Sequence, residues 1–312
     1  MLVGVHIFSL SLKQNGMLFG LKHTNMIEKE REQPCHNSSV PETEMPYVHY
    51  PSPHTYSREE CACTPVRFFA ILTMQRSGSG LFETMLNSHE NISSNGAIFS
   101  VKERRRNITA ITRTLDKLYN LDWVSSAAKN ECTAAVGLKW MLNQGLMKYD
   151  REIVEYFNQR GVSIIFLLRR NLLQRYVSIL ANDHDRNYKQ LNGTHKAHVH
   201  QRVQVDVLAR YRPTTIDTKS LIAELKRSDK LATDALVSFK KIRNIVLYYE
   251  DVVSNRTKLT DVLDFLKLPK TKLSSRHVKI HTKRLRDNID NWIDVYNTLK
   301  GTQYESFLNG RK

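Results

Sequence analysis

The stretch Gln75-Arg76-Ser77-Gly78-Ser79-Gly80 has the composition of an anion site. Its small residues let the backbone approach a ligand closely, with N–H groups turned inward. An apolar run precedes it, and Leu81, Phe82, Met85 and Leu86 follow at helical spacing. A helix starting there adds its positive N-terminal end to the charge of Arg76, which suits a phosphate. An ordinary Gly/Ser connection between strand and helix has the same look, so the turn alone decides nothing. A Walker-type triphosphate site is disfavoured: Leu81-Phe82 stand where Lys and Ser/Thr would reach the β- and γ-phosphates and Mg²⁺.

A second cluster follows the apolar segment Ser163 to Leu168, where Arg169-Arg170-Asn171 leads into a helical pattern carrying Ser178. Arg170 would offer a charge-assisted fork and Ser178 an O–H donor. Either residue alone reads as readily as a solvated surface group. His195, His198 and His200 have no carboxylate or Cys beside them, which favours a solvated basic loop over a metal site. Cys35, Cys61, Cys63 and Cys132 are too scattered for a zinc ribbon, and Cys61-Ala-Cys63 lacks the two-residue spacer of the usual pair. No metal is assigned.

The elements that must position these residues follow from periodicity. Val66 to Thr73, Ala134 to Trp140, Ser163 to Leu168 and Ile245 to Tyr249 read as buried strands. Helical stretches separate them at Asn107 to Tyr119, Arg151 to Arg160, Leu172 to Asn182, Lys219 to Lys240 and Lys258 to Leu268. Such alternation predicts an α/β fold with a central parallel sheet flanked by helices. Glu28 to Glu60 is polar and broken by prolines, the composition of a stalk, and His184 to Arg212 is a polar excursion with the composition of a lid.

Thr73 to Leu81 resembles the 5′-phosphosulfate loop of sulfotransferases, as in the tyrosylprotein and nodulation-protein-H types. Leu167 to Ser178 resembles the family segment that holds the 3′-phosphate, including the eight-residue separation of Arg170 and Ser178. From about Val66 onward the chain is similar to plant nodulation-protein-H-like sulfotransferases. The resemblance implies a three-layer P-loop-like fold, with residues 1–65 as an N-terminal irregular segment and 66–312 as the sulfotransferase domain. It implies transfer of a sulfuryl group from 3′-phosphoadenosine-5′-phosphosulfate, as co-substrate, to an acceptor hydroxyl of a glycan, peptide or small molecule. Gln75, Arg76, Ser77, Gly78, Ser79, Gly80, Arg170 and Ser178 would bind the nucleotide.

The departures concern catalysis. Leu172 replaces the Pro that commonly follows Arg-Asn, and Ser79-Gly80 replaces a Ser/Thr-Thr pair. Ala97 stands where several relatives carry an acidic residue, and no His follows the strand Ala134 to Trp140. Arg76 would stabilise the leaving group, Lys139 the moving sulfuryl oxygens, and Glu103 is the nearest replacement acid, with Asp183 and His184 as others within reach of the excursion. Lys283-Arg284-Leu285-Arg286 with Trp292 loosely resembles a segment that closes over nucleotide in cytosolic relatives. The alternative is a catalytically impaired nucleotide- or glycan-binding module on the same fold.

The balance of 47 Lys and Arg against 31 Asp and Glu, a net charge of +16, favours anionic partners. No aromatic-and-basic recognition motif points to nucleic acid. Polar residues interrupt the apolar N-terminus before a membrane span is reached, so membrane association is expected only through an anchor missing upstream. Sequons at Asn37, Asn91, Asn107, Asn192 and Asn255 make the Golgi lumen the expected location, with cytoplasm or plastid as alternatives.

Overall fold

The computed structural model describes residues 40–125, 132–188, 214–276 and 284–309. Its centre is a five-stranded, all-parallel sheet: β1 (Arg67–Thr73), β2 (Ile92–Ser94), β3 (Ala135–Met141), β4 (Val162–Leu168) and β5 (Asn244–Tyr248), in the order β2-β3-β1-β4-β5. Every residue of β1 and β4 is buried, which explains why these strands read as unbroken apolar runs. Alternate side chains supply two cores. Phe68, Ala70 and Leu72 face one side with α2 (Ile108–Tyr119), α3 (Asp150–Gln159), α4 (Leu172–Tyr188), α5 (Thr218–Ser238) and α8 (Trp292–Leu299). Phe69 and Ile71 face the other with α1 (Ser79–Leu86), α6 (Tyr249–Ser254) and α7 (Thr257–Phe265).

Helix starts follow local chemistry where caps exist. The Asn107 side chain accepts from the Ala110 N–H at the head of α2, and Ile111, Leu115 and Leu118 then bury one stripe. β1 lies between β3 and β4, and the chain leaves it toward β2 on one side before crossing to β4 on the other. That makes the C-terminal edge beside β1 a topological switch point, where open α/β sheets bind ligands.

Several expectations are corrected. Tyr249 is not the end of a strand but the first residue of α6, and the three-residue β2, too short to show a period, is new. His184 to Tyr188 continue α4 because the helical pattern outlasts its last apolar residue; the rest of the excursion, with its three histidines, lies outside the described residues. Residues 40–65, at the end of the stretch read as a stalk, make specific contacts with the sheet. His49 bridges Val66 and stacks on Phe68, with centroids 3.9 Å apart. Glu44 receives Arg67 at 2.8 Å and Arg243 at 3.1 Å. Cys61 is disulfide-bonded to Cys132, and Cys63 is also disulfide-bonded. No described helix is long and apolar enough to cross a membrane.

Candidate anion site

The loop between β1 and α1 is held in an unusual shape. Arg76 has φ 63° and Gly78 φ 77°, so left-handed residues flank Ser77. Such alternation produces a concave nest of backbone N–H groups suited to an anion. Position 78 must be glycine for a second reason: a Cβ there would lie 2.0 Å from the Tyr249 ring. Ser77 is fully buried, and its Oγ has no hydrogen-bond partner among the described residues. A buried hydroxyl left without a partner at the base of a nest is a place where a ligand oxygen would repay its desolvation.

Two side chains of helix α4 and one just before it face this loop. Ser178 Oγ lies 3.0 Å from Arg76 Nε, which brings together the two expected phosphate segments. Arg175 Nε donates to the Gln75 carbonyl at 2.8 Å, and the Arg169 side chain, just before the helix, donates to the Arg76 carbonyl at 3.0 Å. Arg169 also lies over the Tyr249 ring, 5.1 Å from its centroid. Burial depresses both guanidinium pKa values, that of Arg175 to about 10, where Arg169 and Arg227 add repulsion. Sequence reasoning passed over Arg169, Arg175 and Tyr249. The Arg-Arg pair at 169–170 and the polar letters at 174–175 were the available signal.

Arg170 is placed differently. Its guanidinium forms a two-pronged pair with Asp251, which raises its pKa and lowers that of the carboxyl, and it lies 4.1 Å from the Tyr248 centroid. Its backbone N–H and that of Asn171 donate to Glu250 at 3.1 and 3.3 Å. Ser178 therefore sits with the loop, while Arg170 is pinned toward β5 and α6.

No family model matches the chain. Two solved structures align at low scores: a sulfotransferase from Alicyclobacillus acidocaldarius (12% identity, 77% of this chain and 95% of that one, TM-score 0.39) and a sulfotransferase domain from the curacin biosynthetic pathway (18%, 78% and 89%, TM-score 0.36). Nodulation protein H of Rhizobium meliloti is 23% identical over 239 residues, covering 74% of this chain and 90% of that protein. The resemblance to nodulation-protein-H-type sulfotransferases holds.

The remaining positions expected from that family are mostly engaged elsewhere. Lys139, on β3, is buried and paired with Glu83 of α1 at 2.7 Å. Glu83 also accepts from Ser94 Oγ and from the Gly96 N–H, both at 2.8 Å, so its carboxylate is fully used beside Ala97. Glu103 is exposed on a short 3-10 turn (Lys102–Arg105) and makes no hydrogen bond or ion pair among the described residues. Asp183 pairs with Arg186 at 3.6 Å, and Arg284 and Arg286 both pair with Asp287. A cavity of about 140 Å³ opens elsewhere, between Tyr56, Asn95 and Trp123, and no loop residue lines it. No cluster of metal ligands occurs among the described residues.

Proposed function

We propose that this chain is a sulfotransferase that carries the sulfuryl group of 3′-phosphoadenosine-5′-phosphosulfate to an acceptor hydroxyl. One observation carries the reading. A glycine-shaped nest with a buried Ser77 hydroxyl that has no partner among the described residues is backed by the buried Arg175 and the mostly buried Arg169 at the switch point of a parallel sheet. The donor, when bound, supplies an activated sulfuryl group. The backbone N–H groups of 76 and 78–80, with the Ser77 and Ser79 hydroxyls, would hold its 5′-phosphosulfate, the Ser77 N–H being given to the Met74 carbonyl. Arg76, half-buried at the mouth and reaching to Ser178, would stabilise charge on the leaving oxygen more in the transition state than before it. Ser178 would bind the 3′-phosphate, joined by Arg170 once a dianion competes with Asp251. Exposed ion pairs contribute about 0 to 1 kcal/mol, less than a charge-assisted phosphate contact.

Proton removal is the weak point, and it favours a second reading. Position 97 is alanine, and the neighbouring Glu83 is locked by Lys139, Ser94 and Gly96. A catalytically impaired nucleotide- or glycan-binding module on the same fold has the same phosphate site. Incubation with labelled sulfuryl donor and panels of glycans, peptides and phenols separates the two. Transfer by the wild type supports the enzyme. Tight nucleotide binding with no transfer, and transfer appearing in Ala97→Glu, would establish the binding module. For location we propose the Golgi lumen, supported by the bonded Cys61, Cys63 and Cys132 and by exposed sequon residues Asn107 and Asn255. Glycosidase treatment of protein from its native host should increase gel mobility; an unshifted band together with free thiols would refute it.

A further inference from the structure

We infer that Arg175 is a positioning residue whose buried charge the nucleotide completes: it orients the loop, and the bound anion is the counter-ion that the protein leaves out. The inference rests on the nucleotide reading above. Two other buried cations have a carboxylate, Lys139 with Glu83 at 2.7 Å and Arg67 with Glu44 at 2.8 Å, whereas Arg58, away from the loop, donates to the Thr64 and Thr133 carbonyls. Arg175 is only 8% exposed, yet its partners are the Gln75 carbonyl and, at 3.1 Å, the Ser228 hydroxyl. It has no carboxylate within ion-pair distance among the described residues. Its neighbour Arg169 comes no closer than 3.9 Å to Glu250, whose oxygens already serve two backbone N–H groups.

A buried charge without a partner destabilises a fold, and it persists where function uses it. The geometry supplies the use. The peptide unit is planar, so gripping the Gln75 carbonyl fixes the opposite direction of the Arg76 N–H. Arg175 thereby sets one wall of the nest while its positive charge lies directly behind it. Removing the charge should relieve the empty protein and impair the loaded one, an inverse effect that a plain structural strap does not produce.

The test is a comparison of wild type, Arg175→Met and Arg175→Lys by thermal melting and by titration with adenosine 3′,5′-bisphosphate. Arg175→Met is expected to melt no lower than wild type without nucleotide and to bind about tenfold or more weakly. Arg175→Lys, which keeps the charge and loses the fork, should recover part of that loss. Wild-type affinity in Arg175→Met, or in Arg175→Lys should the methionine variant not fold, overturns the inference, as does a lower melting point with unchanged binding. A folded wild type that fails to bind the bisphosphate overturns the nucleotide reading itself, which is a different result from binding that ignores position 175.

Discussion

The two edges of the sheet handle charge in opposite ways. At the N-terminal edge Glu44 gathers Arg67, Arg243 and Lys267, the last at 3.7 Å, so one carboxylate serves three cations. At the C-terminal edge Arg169 and Arg175 crowd behind the loop with carbonyls and a hydroxyl as their close partners, and Ser77 keeps an unspent oxygen. The first edge is finished as a piece of protein. The second reads as one half of a complex, and its cost is the sort that functional sites incur.

Substitutions on each edge should therefore separate stability from activity. The largest effect is expected at Arg76. Arg76→Ala should lower sulfuryl transfer about 100- to 1,000-fold with the melting curve unchanged, because in the proposed reading the side chain would stabilise leaving-group charge and it fills no core. Steady-state rates and a thermal melt check both halves. Glu44→Ala should do the reverse. Stranding Arg67, with its side chain 10% exposed, is expected to cost roughly 3 kcal/mol in urea unfolding while leaving nucleotide affinity at the wild-type value.

A finer contrast lies within the C-terminal edge. Arg170→Ala and Ser178→Ala should each weaken adenosine 3′,5′-bisphosphate more than its 3′-dephospho analogue, the arginine by about 1.5 to 3 kcal/mol and the serine by less. Equal weakening toward both nucleotides would remove these residues from a 3′-phosphate site. Since Arg170 begins in the grip of Asp251, Asp251→Asn should strengthen bisphosphate binding modestly, and an unchanged affinity would mean that the pair never opens.

The smallest effect belongs to His49. Burial lowers its pKa from 6.5 to about 4, with Arg160 and Arg67 adding to the fall against a backbone hydrogen bond that opposes it. The folded state therefore favours the neutral ring. Its contribution is complete above pH 6.5 and is lost as pH falls toward 4, where the unfolded chain binds the proton more readily. The expected loss is of order 1 to 2 kcal/mol, allowing for partial exposure. His49→Phe should flatten the pH dependence of the melting point in that window, whereas an unaltered slope would place the titration elsewhere.

What was legible in the sequence follows the same division. Strands β1, β3 and β4 announce themselves because burial on both faces leaves mostly apolar runs, while β5, an edge strand with Val246 exposed, is betrayed only by its apolar letters. The nest was legible only in part, because a Gly/Ser run also suits an ordinary connection, and the left-handed Arg76 and the Tyr249 ring against Gly78 leave no mark in the local sequence. Residues 40–65 were not, since a segment anchored by a bridge, an ion hub and the disulfide-bonded Cys61 and Cys63 looks in sequence like any proline-broken linker. Lys139 was misleading for a related reason: its partner Glu83 lies 56 positions away, and a buried pair across two elements leaves no local pattern. Arg175 was hidden because an arginine in a helix is ordinarily a surface residue, and only the packing of α4 against the loop reverses that expectation.

The most direct measurement is calorimetric titration of the folded chain with adenosine 3′,5′-bisphosphate and, separately, with ATP and Mg²⁺. Position 81 lacks the Lys that reaches a γ-phosphate in Walker-type sites, while Ser178 and Arg170 are proposed to receive a 3′-phosphate. The bisphosphate should bind tighter than ATP by about tenfold or more, the difference one charge-assisted contact makes. ATP binding as tightly as the bisphosphate, or neither nucleotide binding at all, would contradict the account.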